Sequence, residues 1–553
     1  MMKVKKQSFL KGSAILAAMV VITKTLGLLY KIPLANILGG TGMGYFSAAF
    51  TVFTPVYALA ASGITSAMSR QAAENRALGR FKNLRKQRRV AYALFGPISL
   101  GAALGMAVSA GPVSRVLLGM PAVSCALLCL APSVLFCSLM NVERGYCEGQ
   151  GDMLPTAVSE IAETFFKLLL GLGAALLVRQ KLGGGGEDAL PYIAAAAVLG
   201  SSAASALAYL GLFIGVRLRG DGITEKMLTE DPVTDSAARH RRALLSISFP
   251  IAVGTVITTL TSMLDMLTMT PCIRRAGTPP ELSALMELGV SREELPTFLY
   301  GSYEGMAMLI YGLVPTLTAM FGKSILPVAV DDFAKGRRLD LGRDLNRMLS
   351  VSALTSIPAG FGITALAEPV LRSLFPGRPA EVAAAAPSLR ILGIAVIFFS
   401  LSLPCFTVLQ ALGRAGKVTF IMLTGAAVKL VLNLLLIPVP VLNLKGAAYA
   451  ELLSSAFVCI AALRELKKLT GCRPDLAETY IRPIYAGAMC AVFADLIYKK
   501  LSVSGLGIGE LRAVTALAIA GGCIMYFFSL YLLCETPKNI IKYVFSEKVE
   551  KRT

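Results

Sequence analysis

Residues 151–181 read GDMLPTAVSEIAETFFKLLLGLGAALLVRQK, a stretch that is largely apolar and long enough to cross a bilayer as a helix. Five polar side chains recur along it at three- and four-residue spacing and form one stripe: Thr156, Ser159, Glu160, Glu163 and Lys167. Inside a membrane, such a stripe must face protein or water. The stretch therefore predicts a membrane-spanning helix packed within a bundle.

Stretches of this length recur from one end of the chain to the other. Hydrophobic residues make up 55% of the 553 residues, charged residues make up 16%, and the mean hydropathy is +0.66. We therefore expect an all-α polytopic membrane protein with about fourteen transmembrane helices. The spans are centred near residues 12–34, 45–67, 90–110, 121–140, 155–178, 190–216, 243–269, 299–328, 349–370, 388–411, 418–438, 444–463, 483–502 and 511–533. The first and eighth contain charges, which is typical of broken helices.

The formal net charge of +20 indicates topology rather than a nucleic-acid partner. Lys and Arg fall mainly in the tails and in the loops on one side, which predicts that both termini are cytoplasmic. The densest basic run, residues 80–89 (RFKNLRKQRR), is expected to face anionic lipids of the inner leaflet. The single histidine, His240, is expected to be a solvated loop residue.

An internal repeat divides the chain. The segment that runs from Gly151 to Lys167 aligns without gaps on the segment that runs from Gly413 to Lys429, and both glycines and both lysines match. The motifs ALGR at 77–80 and AKGR at 334–337 match at a similar spacing. Parallel repeats of six spans are one way of building a transporter. The expected domains are an N-terminal lobe (1–238), a C-terminal lobe (239–470) and a last pair of helices with a cytoplasmic tail (471–553).

Lys24 and Lys31 are the strongest candidates for binding a cargo. They are seven residues apart, so both ammonium groups project from one face of the first span. Two like charges on one face repel unless an anion or carboxylates lie between them. Cationic side chains in a central cavity suit a pyrophosphate headgroup. Pro33, close by, can open the helix backbone.

Other charged residues fall within the predicted spans. The expected substrate contacts, besides Lys24 and Lys31, are Lys167, Lys323 and Lys429. The expected ion-coupling or gating residues are Asp265, Glu160, Glu163 and Glu304. Some of these are equally well read as snorkelling side chains or as structural ion pairs, Glu163 with Lys167 being an i, i+4 candidate. Asp265 pairing with Lys31 in the empty state is a further hypothesis.

The sequence lacks the motifs of several other classes. It has no Walker motif, no cluster of metal ligands and no large domain that could house a catalytic site. No catalytic residue, metal or cofactor is expected. The longest outer loop, residues 271–296, lacks a constellation for acid–base chemistry, which disfavours a membrane enzyme acting on a lipid carrier.

The motifs resemble those of the polysaccharide-transport branch of the multidrug/oligosaccharidyl-lipid/polysaccharide exporter superfamily, especially the stage V sporulation protein B group. The similar segments are KTLGLLYKIP at 24–33, RGY at 144–146 with PTAVSE at 155–160, and LQALGR at 409–414 with KLVLN at 429–433. The resemblance implies a two-lobed transporter that rocks around a central cavity, in the cytoplasmic membrane of a bacterium.

Related MurJ-type flippases move lipid II, the peptidoglycan precursor, and depend on basic residues in the cavity. The resemblance therefore implies a flippase for a lipid-linked saccharide, acting as a monomer, with Lys24 and Lys31 at the headgroup. The chain departs from the MurJ pattern at Lys31-Ile32, where that pattern has an Arg-Asp pair. The implied cargo is therefore a class of lipid rather than lipid II itself. A cation-coupled multidrug exporter of the same superfamily is the alternative, and the coupling ion, Na⁺ or H⁺, is left open.

Overall fold

The computed structural model describes residues 9–182, 186–220, 234–276, 293–470, 477–502 and 507–533, together with residues 223, 227, 228 and 291. A few side chains within these ranges, that of Lys323 among them, lie outside the described part. Within the described ranges the chain is helical and contains no strand. The chain forms two compact units, residues 1–267 and 268–553.

The helices of the first unit follow the predicted spans. They are α1 (Phe9–Ala61), α2 (Ile64–Ala77), α3 (Phe81–Pro112), α4 (Val123–Gly149), α5 (Leu154–Phe166), α6 (Leu172–Lys181) and α7 (Leu190–Arg219). The division between the units falls within α8 (Ala237–Ala276).

The second unit continues with shorter pieces and then with long helices. They are α9 (Leu295–Ser302), α10 (Met308–Tyr311), α11 (Leu313–Ala334), α12 (Arg338–Leu374), α13 (Pro379–Leu409), α14 (Ala415–Leu436), α15 (Leu444–Thr470), α16 (Arg482–Leu501) and α17 (Ile508–Leu533).

The helices accommodate the fourteen expected spans. Eleven helices in the described ranges are long and apolar enough to cross a membrane. Two of these, Ala18–Ala77 and Pro379–Leu436, each contain two of the expected spans. The seventh span lies in the 40-residue α8. The expected fold class, an all-α polytopic membrane protein, is therefore confirmed.

Breaks in the helices fall near the charged positions. The first span is continuous through Pro33, and the break in α1 comes at Gly39, whose φ of 65° only glycine adopts readily. The fifth span is interrupted by a π-helical turn at Lys167–Gly171, and the eighth by another at Tyr303–Ala307. Such π-helical turns interrupt the regular hydrogen-bond pattern of an α-helix, and they often occur at functional sites. The eighth span is therefore a broken helix, as the sequence indicates.

The repeated motifs adopt the same local structure. Gly79 and Gly336 have φ values of 71° and 70°, and Gly151 and Gly413 have 82° and 78°. After Gly79, the Arg80 amide donates to the Asn75 carbonyl oxygen at 2.8 Å. After Gly336, the Arg337 amide donates to the Asp332 carbonyl oxygen at the same distance. The glycines match in sequence because each turn requires a left-handed residue.

Two glycines set the distance between α2 and α4. A Cβ placed on Gly145 would lie 2.7 Å from the Thr65 carbonyl oxygen, and one on Gly149 would lie 2.5 Å from the Ala72 Cβ. The four-residue spacing of small residues lets the two backbones approach closely, as in other membrane helix pairs. This contact fixes the end of α4 that carries Arg144.

Candidate functional site

Arg144 organises a polar cluster in the first unit, between α4 and α5. Its Nε donates to Ser159 Oγ at 2.8 Å, and its Nη2 lies 3.3 Å from Glu163 Oε2. Its Nη1 lies 3.8 Å from Glu160 Oε1. Because one planar guanidinium reaches three side chains of α5, Arg144 fixes the rotation of that helix relative to α4.

Glu163 is the centre of this cluster. Lys167 Nζ donates to its Oε1 at 3.0 Å, and Ser205 Oγ of α7 donates to the same oxygen at 3.0 Å. With Arg144 on the other oxygen, the half-buried carboxylate has partners on three helices. The expected i, i+4 pair of Glu163 with Lys167 is present, and the polar stripe of α5 faces protein.

A second ion pair lies in the second unit. Lys429 Nζ of α14 lies 2.5 Å from Glu451 Oε2 of α15, and both side chains are buried. The other carboxylate oxygen accepts hydrogen bonds from Tyr311 at 2.7 Å and Ser455 at 3.2 Å. One turn along α14, Asn433 Nδ2 donates to Thr268 Oγ1 at 3.0 Å. This polar set joins α8, α10, α14 and α15.

The two lysines that the repeat equates are thus both paired, but by different carboxylates. Lys167 is held by Glu163 on its own helix, whereas Lys429 is held by Glu451 on the next one. The two halves therefore match in having a lysine that is neutralised by a carboxylate. They differ in the position of the glutamate that supplies this carboxylate. A carboxylate at each site lowers the cost of keeping the ammonium group at membrane depth.

Lys24 and Lys31 differ from these lysines in exposure. Both side chains are exposed on α1, two helical turns apart. Lys31 has an interaction partner, and Lys24 has no ion pair with any residue in the described ranges. Among the lysines described within the expected spans of the first unit, Lys24 and Lys31 are therefore the ones whose ammonium groups are exposed to an anion.

The remaining candidate residues are placed separately. Asp265 is buried in α8, and Glu304 is half-buried in the π-helical turn that interrupts the eighth span. Both have interaction partners. Lys323 lies in α11, and its side chain falls outside the described residues.

The structure corrects two expectations about basic segments outside the expected spans. His240 is not a solvated loop residue, because it lies in the first turn of α8 with only 4% of its surface exposed. The basic run at 80–89 does not simply face lipid. Arg88 pairs with the buried Glu143 at 2.7 Å, and Lys86 donates to the Asp235 carbonyl oxygen at 2.5 Å. Since the run is helical, one of its faces is used in packing.

Sequence reasoning missed three residues of these clusters as site candidates: Arg144, Tyr311 and Glu451. Glu451 is a charged residue within an apolar stretch, which is a detectable signal, whereas Arg144 lies after the fourth expected span among other polar residues. Tyr311 gave none, because its role depends on α10 lying against α15. Among the residues that the structure describes, no group of three or more His, Cys, Asp or Glu side chains is placed to hold a metal ion.

The chain matches a protein-family model described as "Polysaccharide biosynthesis protein" over residues 9–331, which is more than half of its length. The protein belongs to this family. A second model, described as "Lipid II flippase MurJ", matches residues 302–532 of this family member. The family resemblance seen in the motifs is thereby confirmed.

Two relatives from Bacillus subtilis (strain 168) are similar over most of this chain. Stage V sporulation protein B is 24% identical, over 90% of each chain. Lipid II flippase MurJ is 23% identical, over 82% of this chain and 81% of its own.

Solved structures agree in fold. Lipid II flippase MurJ in an inward closed conformation matches with a TM-score of 0.64 and 13% identity, covering 97% of this chain and 100% of its own. An inward-facing multidrug resistance transporter of the MATE family matches with a TM-score of 0.61 and 15% identity, covering 81% and 95%. At these identities the likeness concerns the fold alone, and it agrees with the multi-pass helical architecture of the described ranges.

Proposed function

We propose that the protein is a flippase that carries a lipid-linked saccharide across the bacterial cytoplasmic membrane by alternating access. The observation that carries this proposal is membership of the polysaccharide biosynthesis family, together with the similarity to a lipid II flippase. The cargo class is a saccharide on a polyprenyl pyrophosphate, similar to lipid II. The protein acts as a monomer with both termini in the cytoplasm.

The exposed lysines of the first span support an anionic cargo. Lys24 and Lys31 present two ammonium groups on one face of α1, about 10 Å apart along the helix axis at the usual rise per residue. A pyrophosphate carries several acceptor oxygens and forms charge-assisted hydrogen bonds with such groups. We assign the headgroup of the cargo to this face.

The lysines that form ion pairs can contact the cargo only when those pairs open. Lys167 and Lys429 are each in an ion pair, so a phosphate could reach them only if Glu163 or Glu451 moved away or took up a proton. We propose that these two lysines contact the cargo only at such a step, and that Lys323 is a further cargo contact. Asp265, Glu160, Glu163 and Glu304 are the proposed coupling or gating residues, the ion being Na⁺ or H⁺. Membrane potential alone would supply about 2.3 kcal/mol per charge per 100 mV.

Export of cationic drugs is the alternative within the superfamily. A cavity for cations would present carboxylates to its contents. Glu163 is instead neutralised by Arg144 and Lys167, and Glu451 is neutralised by Lys429. The likeness to a multidrug transporter, at 15% identity, concerns the fold alone. The pairing of the carboxylates favours the flippase.

The test is translocation of lipid II in cells depleted of their own flippase. The parent protein is compared with Lys24→Ala/Lys31→Ala at equal expression. Rescue is expected from the parent and not from the double variant, because removing two cations from the cargo face removes the groups that bind the phosphates. The matched control is Lys467→Ala/Lys468→Ala, which removes two exposed lysines from the last turn of α15.

The control pair should rescue like the parent. Lys24→Arg/Lys31→Arg should retain part of the activity, because the charge is kept. If the parent fails to rescue but expels cationic dyes, the multidrug assignment replaces the flippase. If the alanine double variant rescues fully, the headgroup does not bind at the first span.

A further inference from the structure

A groove with a volume of about 270 Å³ runs between α5 and α7 of the first unit. On α5 its lining extends from Leu154 to Phe166, and on α7 it ends at Arg219. Apart from Ser159 and Arg219, the residues that line it are apolar. We call this feature the α5–α7 groove.

The length of the groove matches one leaflet of a bilayer. The rise from Leu154 to Phe166 is about 18 Å at 1.5 Å per residue. Half of the hydrocarbon core of a membrane is about 15 Å. With the N-terminus cytoplasmic, as the basic loops predict, the fifth span begins and the sixth ends on the cytoplasmic side. Leu154 and Arg219 then lie at the level of the inner headgroups.

Two glycines keep the groove open. Gly211 and Gly215 line it with a four-residue spacing on α7, and a Cβ on either would meet no described atom within 4 Å. At Gly145 and Gly149 the same spacing allows two helices to make contact, whereas at Gly211 and Gly215 the space beside the glycines is open. Sites for small ligands have volumes of roughly 300 to 1,000 Å³, so this cavity accommodates part of a single hydrocarbon chain.

Charge decides which lipid suits the groove. The guanidinium of Arg219 is exposed at the headgroup end, and no carboxylate lines the groove in the described part of the chain. We propose that the α5–α7 groove binds one anionic phospholipid of the inner leaflet, with an acyl chain between the helices and the phosphate on Arg219. A tail much longer than one leaflet, such as a polyprenyl chain, would extend beyond the length of the groove.

The site does not depend on the identity of the cargo. It does adjoin the polar cluster, because Ser159 lines the groove and also accepts a hydrogen bond from Arg144 Nε. A bound chain would therefore contact the same turn of α5 that presents Glu160 and Glu163. The groove gives an inner-leaflet lipid direct contact with the helix that carries these carboxylates.

Native mass spectrometry of the purified full-length protein tests the proposal. The probes are phosphatidylglycerol and phosphatidylcholine with the same acyl chains. The parent should retain phosphatidylglycerol preferentially, and Arg219→Gln should reduce this preference about fivefold, the contribution of one Arg near an anionic surface. The matched control is Arg217→Gln, because Arg217 stacks over the Phe213 ring at 4.2 Å and does not line the groove.

A second pair of variants tests the groove itself. Gly215→Leu places a side chain in the open channel and should abolish tight retention of either lipid, whereas Gly173→Leu, at another open position outside the groove, should not. Equal effects of Arg219→Gln and Arg217→Gln would overturn the proposal, as would lipid retention by Gly215→Leu. Displacement of phosphatidylglycerol by an equal concentration of a polyprenyl phosphate would also overturn it. If Gly215→Leu does not fold, the two arginine variants decide.

Discussion

Lys429 Nζ lies 2.5 Å from Glu451 Oε2, and each side chain is about nine-tenths buried between α14 and α15. Tyr311 and Ser455 donate to the second carboxylate oxygen, so each oxygen of Glu451 has a partner. A buried ion pair of this kind adds little net stability over an apolar pair, because both charges lose their solvation. Removing one partner is costly, because the other charge stays buried without compensation.

Glu451→Gln should destabilise the protein by about 3–5 kcal/mol, since it leaves the Lys429 ammonium group buried without its carboxylate. The measurement is thermal unfolding of the purified protein, followed by circular dichroism. Glu465→Gln is the control, because its partner Lys468 is largely exposed, and it should change stability by less than about 1 kcal/mol. Equal effects of the two variants would mean that the Lys429–Glu451 pair is solvated in the folded protein.

The double variant Lys429→Met/Glu451→Leu should recover most of the stability lost in Glu451→Gln, because no charge then remains buried. This separates folding from transport. If Lys429 contacts the cargo, the double variant will be stable and deficient in lipid II translocation. A stable double variant with full translocation would show that Lys429 serves only to join the helices.

Gly145→Ala should destabilise the protein by about 1–3 kcal/mol, because its Cβ would overlap the Thr65 carbonyl oxygen and the Met68 Cβ of α2. Gly105→Ala on α3 is the matched control, since its Cβ would meet no described atom within 4 Å. That control should be neutral or stabilising by about 0.5–1 kcal/mol, as for other helical glycines replaced by alanine. A neutral result at Gly145 would argue against close packing of α2 on α4.

The stability of the protein should fall as the pH is lowered through the range in which His240 titrates. Burial lowers the pKa of His240, the positive charges of Lys86 and Arg239 lower it further, and Asp235 opposes them. As the pH falls, the unfolded chain takes up this proton first, near its ordinary pKa of about 6.5. The contribution of His240 is therefore complete above about pH 6.5 and is lost as the pH falls below it.

His240→Gln isolates this effect, because the chain has a single histidine. Between pH 7.5 and 5.5, the melting temperature of the parent should drop more than that of the variant. Parallel drops in the two proteins would indicate that His240 takes up its proton as readily in the folded state as in the unfolded state.

The sequence by itself determined the fold class, the fourteen spans and the repeated turns. Apolar length is sufficient for the spans, because a helix is the only open-ended structure that satisfies its own backbone hydrogen bonds in lipid. The glycines at 79, 151, 336 and 413 were detectable because only glycine adopts their left-handed conformation readily. The pair of Glu163 with Lys167 was also predictable, since residues four apart on a helix are neighbours.

Only the tertiary structure decided which charges neutralise one another across helices. Arg144 reaches Glu163 because α4 lies against α5, and Glu451 reaches Lys429 because α15 lies against α14. The burial of His240 likewise depends on how α8 packs. Sequence spacing specifies the face of a helix on which a side chain lies. Which helix faces that side chain, and how deeply the side chain is buried, depend on the packing of many other side chains. No short motif contains that information.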